Sequence, residues 1–173
     1  MGQSGVLLDL LVLAAAYAAW LLPKWRRLGK RPLLVYTLMY GCLAGIVRFT
    51  LMPVLAALPY CFDHPYIPMH MAPFEDVILH HGDYVRQIVL NVILFVPFGV
   101  LQPLCDRCRG RRPRFWRCLL LTLALSAGIE VVQPLLHVFR RADITDVITN
   151  TIGGVFGYAL WALGNVCCKK RQG

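Results

Sequence analysis

The sequence predicts an all-α protein, a polytopic bundle of about five transmembrane helices. Hydrophobic residues make up 58% of the 173 residues and charged residues only 16%, whereas a soluble domain has about 25% charged residues. A soluble domain of this size could not bury so much apolar surface. The apolar residues also form long continuous runs, unlike the alternating strands of a membrane β-barrel.

Five apolar runs are long enough for a helix to cross the roughly 30 Å hydrocarbon core of a bilayer. They cover residues 5–22, 33–58, 85–104, 115–139 and 147–166. The first run is interpreted as a retained helix and not as a signal peptide, because residues 1–8 contain no Lys or Arg. The chain is accordingly divided into an N-terminal helix with a basic loop (1–32), a transmembrane domain (33–166) and a basic tail (167–173).

The net charge of +9 is distributed in a way that predicts membrane topology. A soluble protein with this excess would suggest nucleic-acid binding, but here Lys and Arg lie in short blocks between the apolar runs. The connection after the first run contains five of them and residues 105–117 contain six, whereas residues 59–84 contain none. The positive-inside rule therefore predicts five helices with the N-terminus outside and the C-terminus inside, and no nucleic-acid partner is expected.

Polar and charged residues recur in the predicted outer halves of four helices. A charge near the bilayer centre costs about 2.5–3.5 kcal/mol on insertion scales, so we expect Arg48 and Glu130 to pair with each other or to face a polar cavity. Helical spacing places Ser126, Glu130 and Gln133 on one stripe of the fourth helix. The predicted ligand-binding site comprises Arg48, Arg86, Asn91, Glu130, Gln133, Arg140, Asp143, Asp146 and Asn150.

Simpler interpretations of several of these residues stay open. Asn91 and Gln133 are of types that hydrogen-bond routinely between membrane helices, each such bond contributing under about 1 kcal/mol. Asp146 could be the N-cap of the fifth helix, and Asp143 a surface charge. The convergence of so many charged and amide side chains favours a site that opens outward.

No metal site and no cofactor are predicted. Cys105 and Cys108 have half of the spacing of a zinc site without a matching second pair, so we interpret them as free thiols. The histidines of the predicted outer loop fit no zinc motif either; they are His64, His70, His80 and His81.

Glycine spacing predicts where helices approach closely. Gly41 and Gly45, and again Gly153 and Gly157, have the Gly-xxx-Gly spacing that lets membrane helices pack backbone to backbone. We interpret both pairs as packing features and not as ligand contacts.

Three segments, in order, resemble the signatures of the VanZ-like membrane protein family. They are Asn91-Val-Ile-Leu-Phe95-Val-Pro97-Phe-Gly99, Ser126-Ala-Gly-Ile-Glu130-Val-Val-Gln133 and residues 140–153. The stretch Arg48-Phe-Thr50-Leu-Met-Pro53 resembles a further basic segment of the family. The resemblance covers about residues 36–160 and departs at His70, where relatives often carry Asn.

The resemblance implies a multi-pass protein of the bacterial cytoplasmic membrane. The family is linked to tolerance of glycopeptide antibiotics of the teicoplanin type, with no assured catalytic activity. We therefore favour a protein that binds or modulates an anionic envelope lipid or a lipid-linked cell-wall precursor in the outer leaflet. Arg48, Arg86 and Arg140 would hold phosphate, because the arginine fork matches phosphate oxygens. A homo-oligomer is compatible with this function.

Two other functions fit the same residues less well. In an intramembrane hydrolase or transferase acting on a lipid-linked substrate, Glu130 would be a general base, and Asp143 and Asp146 would hold a divalent ion. In a small transporter, Glu130 would carry a proton, but the sequence has no inverted repeat.

Overall fold

The computed structural model of the protein describes residues 3–79, 82–136 and 141–170. Within them, five helices are long and apolar enough to cross a membrane, which confirms the predicted fold class. The helices are α1 Gln3–Arg26, α2 Lys30–Thr50, α3 Tyr84–Cys108, α4 Phe115–Leu136 and α5 Ile144–Lys170.

The two ends of the bundle carry different connections. Connections 27–29 and 109–114 lie at one end, called the basic end because it is rich in Lys and Arg. Residues 51–79, 82–83 and 141–143 lie at the other end, called the loop end. The positive-inside rule predicts that the basic end is cytoplasmic and that the loop end faces outward.

Helix α1 lies at the edge of the bundle and is attached to it by polar side chains. It continues through a π-helical segment, Tyr17–Leu21, where the Tyr17 hydroxyl lies 2.8 Å from that of Thr37 in α2. Asp9, the charged residue in this apolar run, is buried. Its carboxylate accepts the backbone N–H groups of Val54 and Leu55 at 2.5 and 3.0 Å, so the charge is hydrogen-bonded as burial requires.

Helix α2 is shorter than the predicted apolar run. It ends at Thr50, and the following residues form turns that lead into a 3₁₀ turn, Leu58–Tyr60. Pro53 explains this end, because proline disfavours helical conformation in the residue before it and has no N–H to donate. The predicted boundary at residue 58 is therefore wrong, and Arg48 lies in the last turn of the helix and not deep within it.

Glycines bring α5 into direct backbone contact with α3. A methyl group at Gly157 would lie 2.1 Å from the carbonyl oxygen of Val96, and one at Gly153 would lie 2.3 Å from that of Val92. The predicted close approach at this pair is confirmed. At Gly41 and Gly45 of α2 a methyl group would meet nothing within 4 Å, so that pair mediates no helix contact in the part of the chain that the structure describes.

Helices α2, α3 and α4 enclose the main apolar core. Its buried members are Ile46, Phe95, Phe98 and Ile129. Helix α5 begins at Ile144, three residues before the predicted start at 147. The core thus closes just below the loop end, where the polar side chains of the four helices meet.

Candidate functional site at the loop end

Glu130 lies at the centre of the polar residues near the loop end. It is 2% exposed, and its Oε2 accepts the backbone N–H of Asp143 at 3.0 Å. A buried carboxylate is costly unless hydrogen bonds compensate for the lost water. Glu130 therefore fixes the point at which the chain enters α5.

Asp143 caps the first turn of α5. Its Oδ1 accepts the backbone N–H of Thr145 at 2.7 Å, and this satisfies one of the free donors at the helix N-terminus. The sequence left Asp146 open as a candidate for the cap; in the structure the cap is Asp143, because the helix begins at Ile144, three residues earlier than predicted. The side chain of Asp143 is 27% exposed, so solvent or a ligand can reach it.

The loop after α2 folds back onto this helix start through His70. The backbone N–H of His70 donates to the carbonyl of Ala142 at 2.8 Å, and Ile144 donates to the carbonyl of His70 at 3.0 Å. The two bonds form an isolated parallel bridge between His70 and Asp143. The loop and the start of α5 are thereby held as one unit.

The imidazole of His70 lies between two carboxylates. Its Nε2 is 2.5 Å from Oε2 of Glu75, and its Nδ1 is 3.8 Å from Oδ2 of Asp143. The side chain of His70 is 20% exposed. The close contact with Glu75 fixes the orientation of the ring, whereas Asp143 lies beyond hydrogen-bond distance from the other nitrogen.

Phe74 closes this loop in a strained backbone conformation. Its φ of 58° is left-handed, which is uncommon for a residue with a bulky side chain. Its N–H donates to Oγ1 of Thr145 at 3.0 Å, and the short helix Glu75–Ile78 follows. Strain of this kind clusters at functional sites, and here it places Glu75 beside His70.

A second polar contact joins α3 to α5. Nδ2 of Asn91 donates to Oδ1 of Asp146 at 2.7 Å and lies 3.5 Å from Oγ1 of Thr149. Asp146 is the acidic residue in the first turn of α5, where the helix dipole favours negative charge. Asn91 and Asp146, which both belong to the predicted site, thus lie in contact with each other.

The other predicted amides are committed to contacts between helices. Nε2 of Gln133 donates to the carbonyl of Thr50 at 3.0 Å, and Nδ2 of Asn150 donates to Oγ of Ser126 at 2.9 Å. Both side chains are buried. This geometry favours the interpretation of Gln133 and Asn150 as interhelical hydrogen bonds.

Of the predicted arginines, neither Arg48 nor Arg86 forms an ion pair with Glu130, Asp143 or Asp146 in the described part of the chain. Arg48 is exposed and its guanidinium lies 5.8 Å from the ring centre of Phe49; among the ion pairs of the described residues there is none between Arg48 and Glu130. The expected pairing is therefore wrong, because α2 ends early and Arg48 reaches the bundle surface. Arg86 is exposed and lies 3.9 Å from Asp83. Arg140 is outside the described residues.

Among the described residues, the site contains a group of carboxylates and one histidine. In residues 3–79, 82–136 and 141–170, no group of three or more His, Cys, Asp or Glu side chains is placed to hold a metal ion. The sequence analysis did not single out Glu75 or Thr145, because a carboxylate and a hydroxyl in these positions have no distinctive spacing. It noted His70 without assigning it a role.

These features define a polytopic helical membrane protein with a polar site at one end of its bundle. Residues 42–165 match the family model described as VanZ/LLP1, and the chain belongs to this family. Over 111 residues it is 33% identical to Protein VanZ of Enterococcus faecium, which covers 64% of this chain and 63% of that protein. The chain thus spans less than two thirds of the length of this relative. No solved structure matches the chain.

Proposed function

We propose that this is an envelope protein of the bacterial cytoplasmic membrane that contributes to tolerance of teicoplanin-type glycopeptides. It binds the head group of an envelope lipid or of a lipid-linked cell-wall precursor at the loop end. The observation that carries the proposal is the partly accessible cluster of His70 and Asp143 above the buried Glu130. Membership of the VanZ/LLP1 family, whose match includes all three residues, supports it.

The chemistry of the cluster favours a ligand rich in hydrogen-bond donors. Carboxylates accept hydrogen bonds when ionised, and Glu75, Asp143 and Asp146 provide them near the loop end. Hydroxyl, amide and ammonium groups are their natural partners. A lipid-linked precursor with sugar and peptide parts offers such donors, whereas a simple anionic lipid offers fewer, so the precursor is the better fit.

Phosphate would bind to the arginines around this cluster. Arg48 and Arg86 are exposed at the same end of the bundle, and Arg140 precedes Asp143 in the chain. Arginine binds phosphate oxygens in a bidentate manner. A ligand with both a phosphate and hydrogen-bond donors would thus contact the arginines with its phosphate and the carboxylates with its donors.

Expression in a susceptible Gram-positive host tests this function. We expect the minimum inhibitory concentration of teicoplanin to rise relative to an empty vector, and that of vancomycin, which lacks the lipid tail, to rise less. Alanine at Arg140, Asp143 or Asp146 is expected to remove the effect. The double variant Cys105→Ser with Cys108→Ser at the basic end is expected to retain it. An equal change for both drugs, or none at verified membrane abundance, would count against the proposal.

A second candidate is a hydrolase or transferase that acts on the same lipid-linked ligand. The observation that favours it is the imidazole of His70, oriented by Glu75 and with Asp143 nearby, because a histidine is the commonest general acid or base. Incubation of the purified protein with a lipid-linked precursor, followed by mass spectrometry, separates the two functions. A new product that disappears in His70→Asn indicates turnover, and recovery of intact ligand indicates binding.

A further inference from the structure

A groove at the basic end lies on the far side of the bundle from the candidate site. It has a volume of about 730 Å³ and lies where connection 109–114 enters α4. Its lining consists of Arg111, Arg112, Arg114, Trp116, Arg117, Leu120 and Leu121. No acidic residue is among them, so the groove combines dense positive charge with apolar side chains.

Three of the four arginines are available to a ligand. Arg111, Arg112 and Arg114 are exposed, and none of them pairs with an acidic side chain within the described part of the chain. Like charges crowded in this way repel one another, and an anion between them relieves the repulsion. Arginine forks also match the oxygens of a phosphate group.

The fourth arginine is fixed in place by a buried partner. Nε of Arg117 lies 3.3 Å from Oδ1 of Asp106, which is 1% exposed. Oδ2 of Asp106 accepts a hydrogen bond from Nε2 of Gln102 at 2.8 Å, and its backbone carbonyl accepts the N–H of Arg111 at 2.8 Å. Asp106 thus holds Arg117 through its carboxylate, and it holds the connection that carries the free arginines through its backbone carbonyl.

The apolar side chains that line the groove lie on the outer surface of the bundle. Trp116 is 69% exposed and Leu120 is 61% exposed, in the first turns of a membrane-spanning helix. A soluble anion would gain nothing from these side chains. The acyl chains of a phospholipid would pack against them, and tryptophan is enriched at the level of lipid head groups.

We propose that this groove is a binding site for the phosphate head group of an anionic phospholipid, whose acyl chains lie along Trp116, Leu120 and Leu121. The site is independent of the loop-end cluster. Clusters of Lys and Arg at the cytoplasmic end of a membrane helix are a recognised setting for anionic lipids. The same arginines also fit the positive-inside rule, which requires positive charge at this end but no particular arrangement. Variants with matched loss of charge therefore distinguish a lipid-binding site from a topology signal.

The experiment measures how many phosphatidylglycerol molecules the purified protein retains, by native mass spectrometry from mixed micelles with phosphatidylcholine. The test variant is Arg111→Gln, Arg112→Gln and Arg114→Gln combined. The control is Lys24→Gln, Arg26→Gln and Arg27→Gln, which removes the same charge from exposed residues at the same end. We expect the wild type and the control to retain phosphatidylglycerol over phosphatidylcholine, and the test variant to lose at least about tenfold in retention.

Several outcomes would overturn the proposal. They are equal loss in both triple variants, no preference for phosphatidylglycerol in the wild type, and full displacement by millimolar inorganic phosphate alone. If the test variant does not give a monodisperse protein, Arg112→Gln alone replaces it, with an expected loss of about fivefold and with Arg27→Gln as its control.

Discussion

Three carboxylates near the loop end of this membrane protein are held by backbone N–H groups. Asp9 accepts two of them from the segment after α2, Glu130 accepts one from Asp143, and Asp143 accepts one from Thr145. In each case the donor lies in a connection or at a helix start, where backbone groups lack helical partners. The polar side chains therefore fix connections to helices at the loop end.

Asp9 gives a prediction of stability. Asp9→Ala leaves two backbone N–H groups without their acceptor, and an unsatisfied buried polar group costs about 1–3 kcal/mol. We expect the thermal midpoint of the detergent-solubilised protein to fall. Leu11→Ala is the control, because Leu11 lies in the same helix and is exposed. Equal midpoints for the two variants would contradict the role of Asp9.

Arg48 and Glu130 are predicted to act independently. Since they form no ion pair, the effects of Arg48→Gln and Glu130→Gln on the free energy of unfolding are expected to add to within about 0.5 kcal/mol. Glu130→Gln is expected to be the more harmful, because that side chain is buried. A double-mutant cycle in detergent measures this. A double variant clearly more stable than the sum of the single effects would show that the two charges interact.

The ends of the helices were harder to predict than their presence. Hydropathy extends the second run to residue 58, but α2 ends at Thr50, because Pro53 limits the backbone in a way that hydropathy does not register. Likewise, Asp143 and Asp146 are both acceptable caps by residue type, and only the contact of Asp143 with Thr145 decides between them. The wrong position predicted for Arg48 follows directly from the wrong end predicted for α2.

The contact between α3 and α5 predicts how a glycine substitution affects stability. A methyl group at Gly157 would lie 2.1 Å from the carbonyl oxygen of Val96, so Gly157→Ala must push the two helices apart. We expect it to lower the thermal midpoint and the yield of monodisperse protein. Gly164→Ala in the same helix meets nothing within 4 Å and is expected to be neutral, since alanine favours a helix. Equal losses would contradict the proposed packing.

At the scale of the whole molecule, composition and run length were sufficient to predict the five-helix bundle. The site was predicted only in part. Membrane depth and spacing brought Glu130, Asp143 and Asp146 to one end of the bundle, but His70 and Glu75 come from a loop whose path depends on the backbone bridge to Asp143. No pattern in the sequence encodes that bridge.

The predicted orientation of the chain in the membrane can be tested by cysteine labelling. With the loop end outward, a cysteine at the exposed position Phe62, placed in a Cys61→Ser background, is expected to react with a membrane-impermeant maleimide in intact cells. A cysteine at Arg112, in a background in which the seven native cysteines are replaced by serine, is expected to react only after permeabilisation. The reverse pattern would invert the topology and move the candidate site to the cytoplasmic face.

The central claim is that the carboxylate cluster at the loop end carries the function. The most direct test is the teicoplanin tolerance of hosts that express Asp143→Asn. Asparagine keeps the capping oxygen for Thr145 and removes the charge facing His70. Asp83→Asn is the matched control, an exposed carboxylate at the same end. At equal abundance, we expect Asp143→Asn to lose the tolerance and Asp83→Asn to keep it; full tolerance with Asp143→Asn would contradict the account.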